Sequence, residues 1–198
     1  MAQIVFLHGL ESRVDTHFIP NGGKARHLAQ NYDVTLAPLD TRVAQACARR
    51  LGASGFRHPF AEEEACFATP MQRARDSLSA DTQLVIGSSF GGAVLLKLLH
   101  EGSWSGPSLF LAGAGVKLTP HDTLPPGVPC HLVHGLQDTV VPWSDSQQLA
   151  HSSDTATLSL VEDGHRLAEW APLGLDACIH RLAAFLQSGC NHSRLMTS

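Results

Sequence analysis

Short apolar runs of strand length recur along this chain, separated by longer stretches of helical composition. The runs fall at Gln3–Leu7, Asp33–Ala37, Gln83–Ile86, Ser108–Ala112, Cys130–Val133 and Thr157–Val161. Most are continuously apolar, as expected of strands covered on both faces. Between and after them, helices are predicted over Gly23–Gln30, parts of Thr41–Leu51, Pro70–Leu78, Ala93–His100, Ser144–His151 and Leu167–Gln187. This alternation predicts an α/β fold of three layers, with about six mostly parallel strands and helices on both faces.

Three stretches depart from the alternation. From Asp40 to Thr69, Gly52-Ala53-Ser54-Gly55 and His58-Pro59 interrupt any helix begun near Val43, so one helix and an irregular loop are expected. Lys117 to Pro129 contains Pro125-Pro126-Gly127 and reads as a surface connection without a folded cap. The polar stretch Gly189–Ser198 is expected to fray, leaving residues 1–188 as one domain.

Composition adds mainly exclusions. At 198 residues, 43% of them hydrophobic and 16% charged, the chain suits one soluble globular domain. A formal charge of −4 without a basic stripe argues against a nucleic-acid surface. No apolar run approaches the roughly 18 residues that span a membrane, and the start lacks the basic and apolar regions of a signal peptide. A cytoplasmic location without membrane partners is therefore the expectation. Cys47, Cys66, Cys130, Cys178 and Cys190 are odd in number and widely spaced, so neither a disulfide framework nor a zinc site is expected. No heptad or exposed stripe indicates an oligomeric state.

The chemistry concentrates at Gln83–Ala93, QLVIGSSFGGA. Leu84-Val85-Ile86 has the branching of a buried strand, and Ala93 to Leu99 the composition of a buried helix. Between them lies Gly87-Ser88-Ser89-Phe90-Gly91, in the strand, Gly-x-Ser-x-Gly, helix context of a nucleophile elbow. A nucleophilic Ser89 needs an imidazole to take its proton. Of twelve histidines, His165 follows the last predicted strand, and Gly164 gives its loop freedom to turn. The imidazole needs a carboxylate to hold its tautomer. Asp138, after the strand in HLVHGLQDTVVP, fits best, with Asp163 and Asp145 as competitors; Asp163 also suits a turn. Two N–H groups should meet the oxyanion, one from Phe90 and one from Leu10 in the His8-Gly9-Leu10 loop. His8 is expected to brace that loop.

Taken together, His8-Gly9, Gly87-Ser88-Ser89-Phe90-Gly91, Asp138 and His165 resemble the compact, capless alpha/beta hydrolases of serine esterase type, including their Ser, Asp, His chain order. The opening His8-Gly9-Leu10-Glu11-Ser12 and Asn21-Gly22-Gly23-Lys24-Ala25 strengthen the likeness. The resemblance implies catalytic Ser89, Asp138 and His165, an oxyanion hole at Leu10 and Phe90, an open site, and no metal or organic cofactor. It implies a small-molecule ester or thioester as substrate. A peptidase or acyltransferase of the same fold, or a catalytically silent binding protein, would carry the same motifs.

Overall fold

The computed structural model describes residues 3–10, 23–51 and 60–194, with the side chains of 47–51, 60–63 and 186–194 excepted. In chain order the elements are β1 (Gln3–Leu7), α1 (Gly23–Asn31), β2 (Asp33–Leu36), α2 (Arg42–Leu51), α3 (Phe60–Ser77), β3 (Thr82–Ser88), α4 (Phe90–His100), β4 (Ser108–Leu111), α5 (Gly115–Leu118), β5 (Cys130–Gly135), α6 (Trp143–His151), β6 (Ala156–Val161) and α7 (Ala171–Arg194). The six strands form one sheet in the order β2-β1-β3-β4-β5-β6, and every pairing is parallel. Strand order reverses beside β1, so a crevice opens between the carboxyl ends of β1 and β3.

Each strand sends alternate side chains to opposite faces, which divides the interior into two apolar layers. On one face Val5, Leu7, Val85, Phe110 and Leu132 pack with Phe67 and Met71 of α3, Val94, Leu95 and Leu98 of α4, and Leu149 of α6. On the other, Ile4, Phe6, Leu84, Ile86, Leu109, Leu111 and Val133 meet Ala25 and Leu28 of α1 and Leu175, Ile179 and Leu182 of α7. The central strands are hydrophobic throughout because both of their faces are covered.

The departures from the sequence expectation have local causes. Helix α3 begins at Phe60 and runs through Pro70, where the pattern predicts a start at Pro70. Proline there donates no backbone hydrogen bond, but Phe67, Met71 and Ala74 form a buried stripe at helical spacing that packs into the core. Helix α4 starts at Phe90, directly after Ser89, with Gly91 and Gly92 in its first turn. The connection from β4 to β5 contains the single-turn α5 and no cap. Helix α7 continues to Arg194, into the segment read as a polar tail.

Buried polar groups stitch the sheet's last two strands together. His131 on β5 is 1% exposed. Its Nδ1 lies 2.7 Å from Thr157 Oγ1 and its Nε2 3.1 Å from Ser159 Oγ, both on β6. Burial, reinforced by the Arg181 charge, pushes this imidazole down to about 4. The unfolded ring takes up a proton near pH 6.5 and the folded ring resists it, so this stability is complete above about 6.5 and is lost as pH falls toward 4. Urea titrations between pH 7 and 4 should show His131→Gln losing less stability than the unmodified chain across that window. The difference should be on the order of 2 to 3 kcal/mol, and parallel curves would refute the assignment.

Candidate active site

Ser89 stands between β3 and α4 with φ 53° and ψ −116°, a backbone conformation a non-glycine residue rarely holds. Its neighbours enforce it. Ser89 N–H donates to Leu111 O at 3.0 Å, while Ser89 O accepts the N–H of Gly92 at 2.9 Å and of Ala114 at 3.0 Å. The first turn of α4 lies directly against the end of β1: a Cβ added to Gly91 would sit 2.0 Å from Leu7 O. No side chain fits there. A Cβ on Gly9 would lie 3.2 Å from Ser89 Cβ, so the loop after β1 passes just over the serine.

That loop is anchored from the other side. Leu10 is half-buried against the core, and its carbonyl accepts hydrogen bonds from Thr41 Oγ1 at 3.3 Å and from Gln45 Nε2. His8 is 5% exposed, with Nδ1 2.8 Å from Gly9 O. Burial lowers its basicity, with the carbonyls of Gly9 and Leu39 opposing. That bond ties the ring to the backbone of its own loop. Phe90 is 2% exposed, its ring stacked on Phe67 at 5.0 Å, so its side chain belongs to the core. As the first residue of α4, it has a backbone N–H without a helical acceptor. Glu11, Ser12, Asn21 and Gly22 of the opening motif lie outside the described residues.

His165 reaches the serine from the loop after β6. Its Nε2 is 2.9 Å from Ser89 Oγ, and its Nδ1 is 2.7 Å from Asp138 Oδ2. The carboxylate only accepts, so Nδ1 carries the proton and Nε2 presents its lone pair to the Ser89 hydroxyl. The Asp138 side chain is 0% exposed, and that of His165 20%. Asp138 Oδ1 takes the N–H groups of Val140 at 2.7 Å and Val141 at 2.9 Å. Burial works to raise its pKa, but the donors from His134, His165, Val141 and Val140 outweigh it and hold the carboxyl well below the usual carboxylate range.

Asp163 has a different task. Its Oδ1 accepts Gly164 N–H, and its Oδ2 accepts the N–H groups of Glu169 and Trp170. It thereby closes the turn that carries His165. Asp145 is buried in the first turn of α6. The sequence-predicted Ser89, His165 and Asp138 thus meet in one hydrogen-bonded row, with Leu10 and Phe90 on the two segments that flank the serine.

Two further groups belong to this neighbourhood. His134 Nε2 lies 3.0 Å from Asp138 Oδ2, behind the carboxylate. Its only sequence signal is its place four residues before Asp138. Lys24, half-buried in the first turn of α1, has its ammonium pushed down to about 8 by burial, opposed by the charges of Asp163 and Asp138. No group of three or more His, Cys, Asp or Glu among the described residues could hold a metal ion. Among the described residues, no helix is long and apolar enough to cross a membrane.

The architecture is found in solved structures. A protein named as a hydrolase of the alpha/beta superfamily from Xanthomonas campestris pv. campestris superposes with a TM-score of 0.60 at 23% identity, covering 95% of this chain and 99% of that one. The chain has the alpha/beta hydrolase fold. A Yden-like hydrolase from Pectobacterium atrosepticum shares the fold with a TM-score of 0.57 at 17% identity, over 92% of this chain and 89% of its own. A pyrethroid hydrolase from Sphingobium faniae JZ-2 does so with a TM-score of 0.54 at 15% identity, over 92% and 97%. No protein-family model matches. In sequence, a curated relative named the mitochondrial palmitoyl-protein thioesterase ABHD10 of Rattus norvegicus is 33% identical over 85 residues. That match takes in 41% of this chain and spans less than a third, 29%, of the relative.

In this alpha/beta hydrolase fold, the serine's geometry rests on the contact of Gly91 with Leu7. Gly91→Ala should therefore fail to accumulate as a folded protein, or melt far below the parent in circular dichroism. A variant with unchanged melting would mean that β1 and α4 do not meet as described.

Proposed function

We propose that the chain is a serine hydrolase that cleaves carboxylic esters or thioesters of small substrates through an acyl-enzyme on Ser89. The observation that carries this reading is the unbroken row from Ser89 Oγ through the His165 ring to the buried Asp138 carboxylate. A strained serine at a helix N-terminus, facing an imidazole lone pair, is the arrangement that nucleophilic acyl transfer requires.

In the proposed reaction, Ser89 Oγ attacks the acyl carbon while His165 Nε2 takes the hydroxyl proton. Asp138 holds the ring and stabilises the imidazolium without itself becoming protonated. The N–H groups of Phe90 and Leu10 receive the oxyanion. The tetrahedral intermediate collapses as His165 returns its proton to the leaving alkoxide or thiolate. Water, activated by the same ring, then attacks the acyl-enzyme and frees the acid and Ser89. The thioester alternative is supported by the name of the curated relative, and the ester alternative by the pyrethroid hydrolase among the fold neighbours.

A panel of aryl esters and thioesters of increasing acyl length tests the reading. Ser89→Ala should lower kcat by at least about 10⁴-fold, and a fluorophosphonate should form one adduct, mapped by mass spectrometry to Ser89. Full activity in Ser89→Ala would end the proposal. Turnover confined to long-chain or protein substrates would end its small-substrate part.

A further inference from the structure

The row does not stop at Asp138. Behind the carboxylate lies His134, at the carboxyl end of β5, with its side chain 0% exposed. Its Nε2 faces two acceptors, Asp138 Oδ2 at 3.0 Å and Val141 O at 3.1 Å, so Nε2 carries a proton. Its Nδ1 is 2.7 Å from Ser146 Oγ of α6, itself 1% exposed. If His134 were charged, Nδ1–H would donate to Ser146 and strand that buried hydroxyl proton. With His134 neutral, Ser146 O–H donates to Nδ1, and each of these groups is satisfied.

The result is a row with two arms meeting at one carboxylate. On the outer arm, Ser89 donates to His165 and His165 donates to Asp138 Oδ2. On the inner arm, Ser146 donates to His134 and His134 donates to the same oxygen. With Val140 and Val141 on Oδ1, the carboxylate accepts four hydrogen bonds, which leaves it a single orientation.

We propose that His134, held as the neutral Nε2–H tautomer by Ser146, is a positioning residue for the hydrolytic site. It fixes the Asp138 carboxylate against His165, and the two rings divide the acceptor capacity of Oδ2 between them. The inference rests on the acyl-enzyme reading, although its geometric content does not. Without the inner donor, Asp138 turns more freely and Oδ2 becomes a stronger acceptor for His165 Nδ1–H. An imidazolium bound more tightly must be deprotonated at higher pH before it can accept the Ser89 proton. Lys24, whose ammonium feels the charges of Asp163 and Asp138, and Asp145, buried beside Ser146 in α6, are charged groups of this neighbourhood that the variants below leave unaltered.

The test compares His134→Leu, His134→Gln and Ser146→Ala with the parent. It reads the kcat/KM–pH profile on an aryl ester, thermal melting, and the low-field proton resonance of His165 Nδ1–H, assigned with a His165→Gln control. His134→Leu should lower kcat/KM on the order of 10-fold, chiefly through kcat. It should also move the acid limb to higher pH and shift the low-field proton further downfield. Gln, whose amide can donate to Oδ2, should restore the limb and the resonance toward the parent. Ser146→Ala should move both in the same direction as Leu, by less. A folded His134→Leu with an unmoved acid limb and resonance would overturn the proposal, as would a Gln variant no better than Leu. If His134→Leu does not fold, Ser146→Ala decides by the same criteria. If the parent takes no fluorophosphonate label and turns over no ester, the acyl-enzyme reading fails, and the resonance alone decides the positioning role.

Discussion

Among the described glycines, the tightest approach is between the backbone at the end of β1 and the first turn of α4. Leu7 O and Gly91 approach so nearly that their separation leaves no space for a methyl group. This contact sets the depth at which α4 enters the sheet and bends the chain at Ser89. It also brings the Gly9 loop over the serine, because that loop is the continuation of the same strand. The strain at Ser89 is held by backbone hydrogen bonds to β4 and to the segment beyond it, which are independent of side-chain identity. A rigid nucleophile thus follows from packing that is almost entirely main chain against main chain.

The electrostatics of the site follow a different logic. Asp138 is buried and charged, a costly condition unless its lone pairs are filled. Four donors fill them, two from its own loop and two from histidines on different elements. The loop carrying His165 is itself folded around a second carboxylate, Asp163, which collects backbone N–H groups. One acid therefore orients the ring and the other shapes the turn that delivers it. Their hydrogen-bonding partners differ accordingly: Asp138 divides its oxygens between main-chain N–H groups and two histidine rings, whereas Asp163 is held by main-chain N–H groups.

Much of this was legible in the sequence because it depends on local pattern. Continuous apolar runs identify central parallel strands, and Gly-x-Ser-x-Gly between such a run and a helix identifies the sharp turn. The end-of-strand positions of Asp138 and His165 follow from the same periodicity. The extent of α3 is less legible, since Pro70 suits the start of a helix and speaks against one running through it, and only the tertiary packing of Phe67, Met71 and Ala74 outweighs that. The pairing of His134 with Asp138 is hidden for a related reason. A histidine four residues upstream of an acid across a strand-to-loop bend acquires its partner from three-dimensional geometry, and no composition marks it.

The carbonyl of Ser89 reaches past its own helix to Ala114, and Gly92 packs against Gly113. The chain leaving β4 is thereby clamped to the elbow for its first few residues, and the segment beyond stays on the core through Val116, Leu118, Leu124 and Val128. Elaboration of this scaffold is confined accordingly. Residues inserted before Ala114 would break the hydrogen bond that holds the strained turn, whereas insertion at the exposed Pro126-Gly127 bend would leave the clamp in place. The clamp thus couples the path of the chain leaving β4 to the backbone of the nucleophile itself.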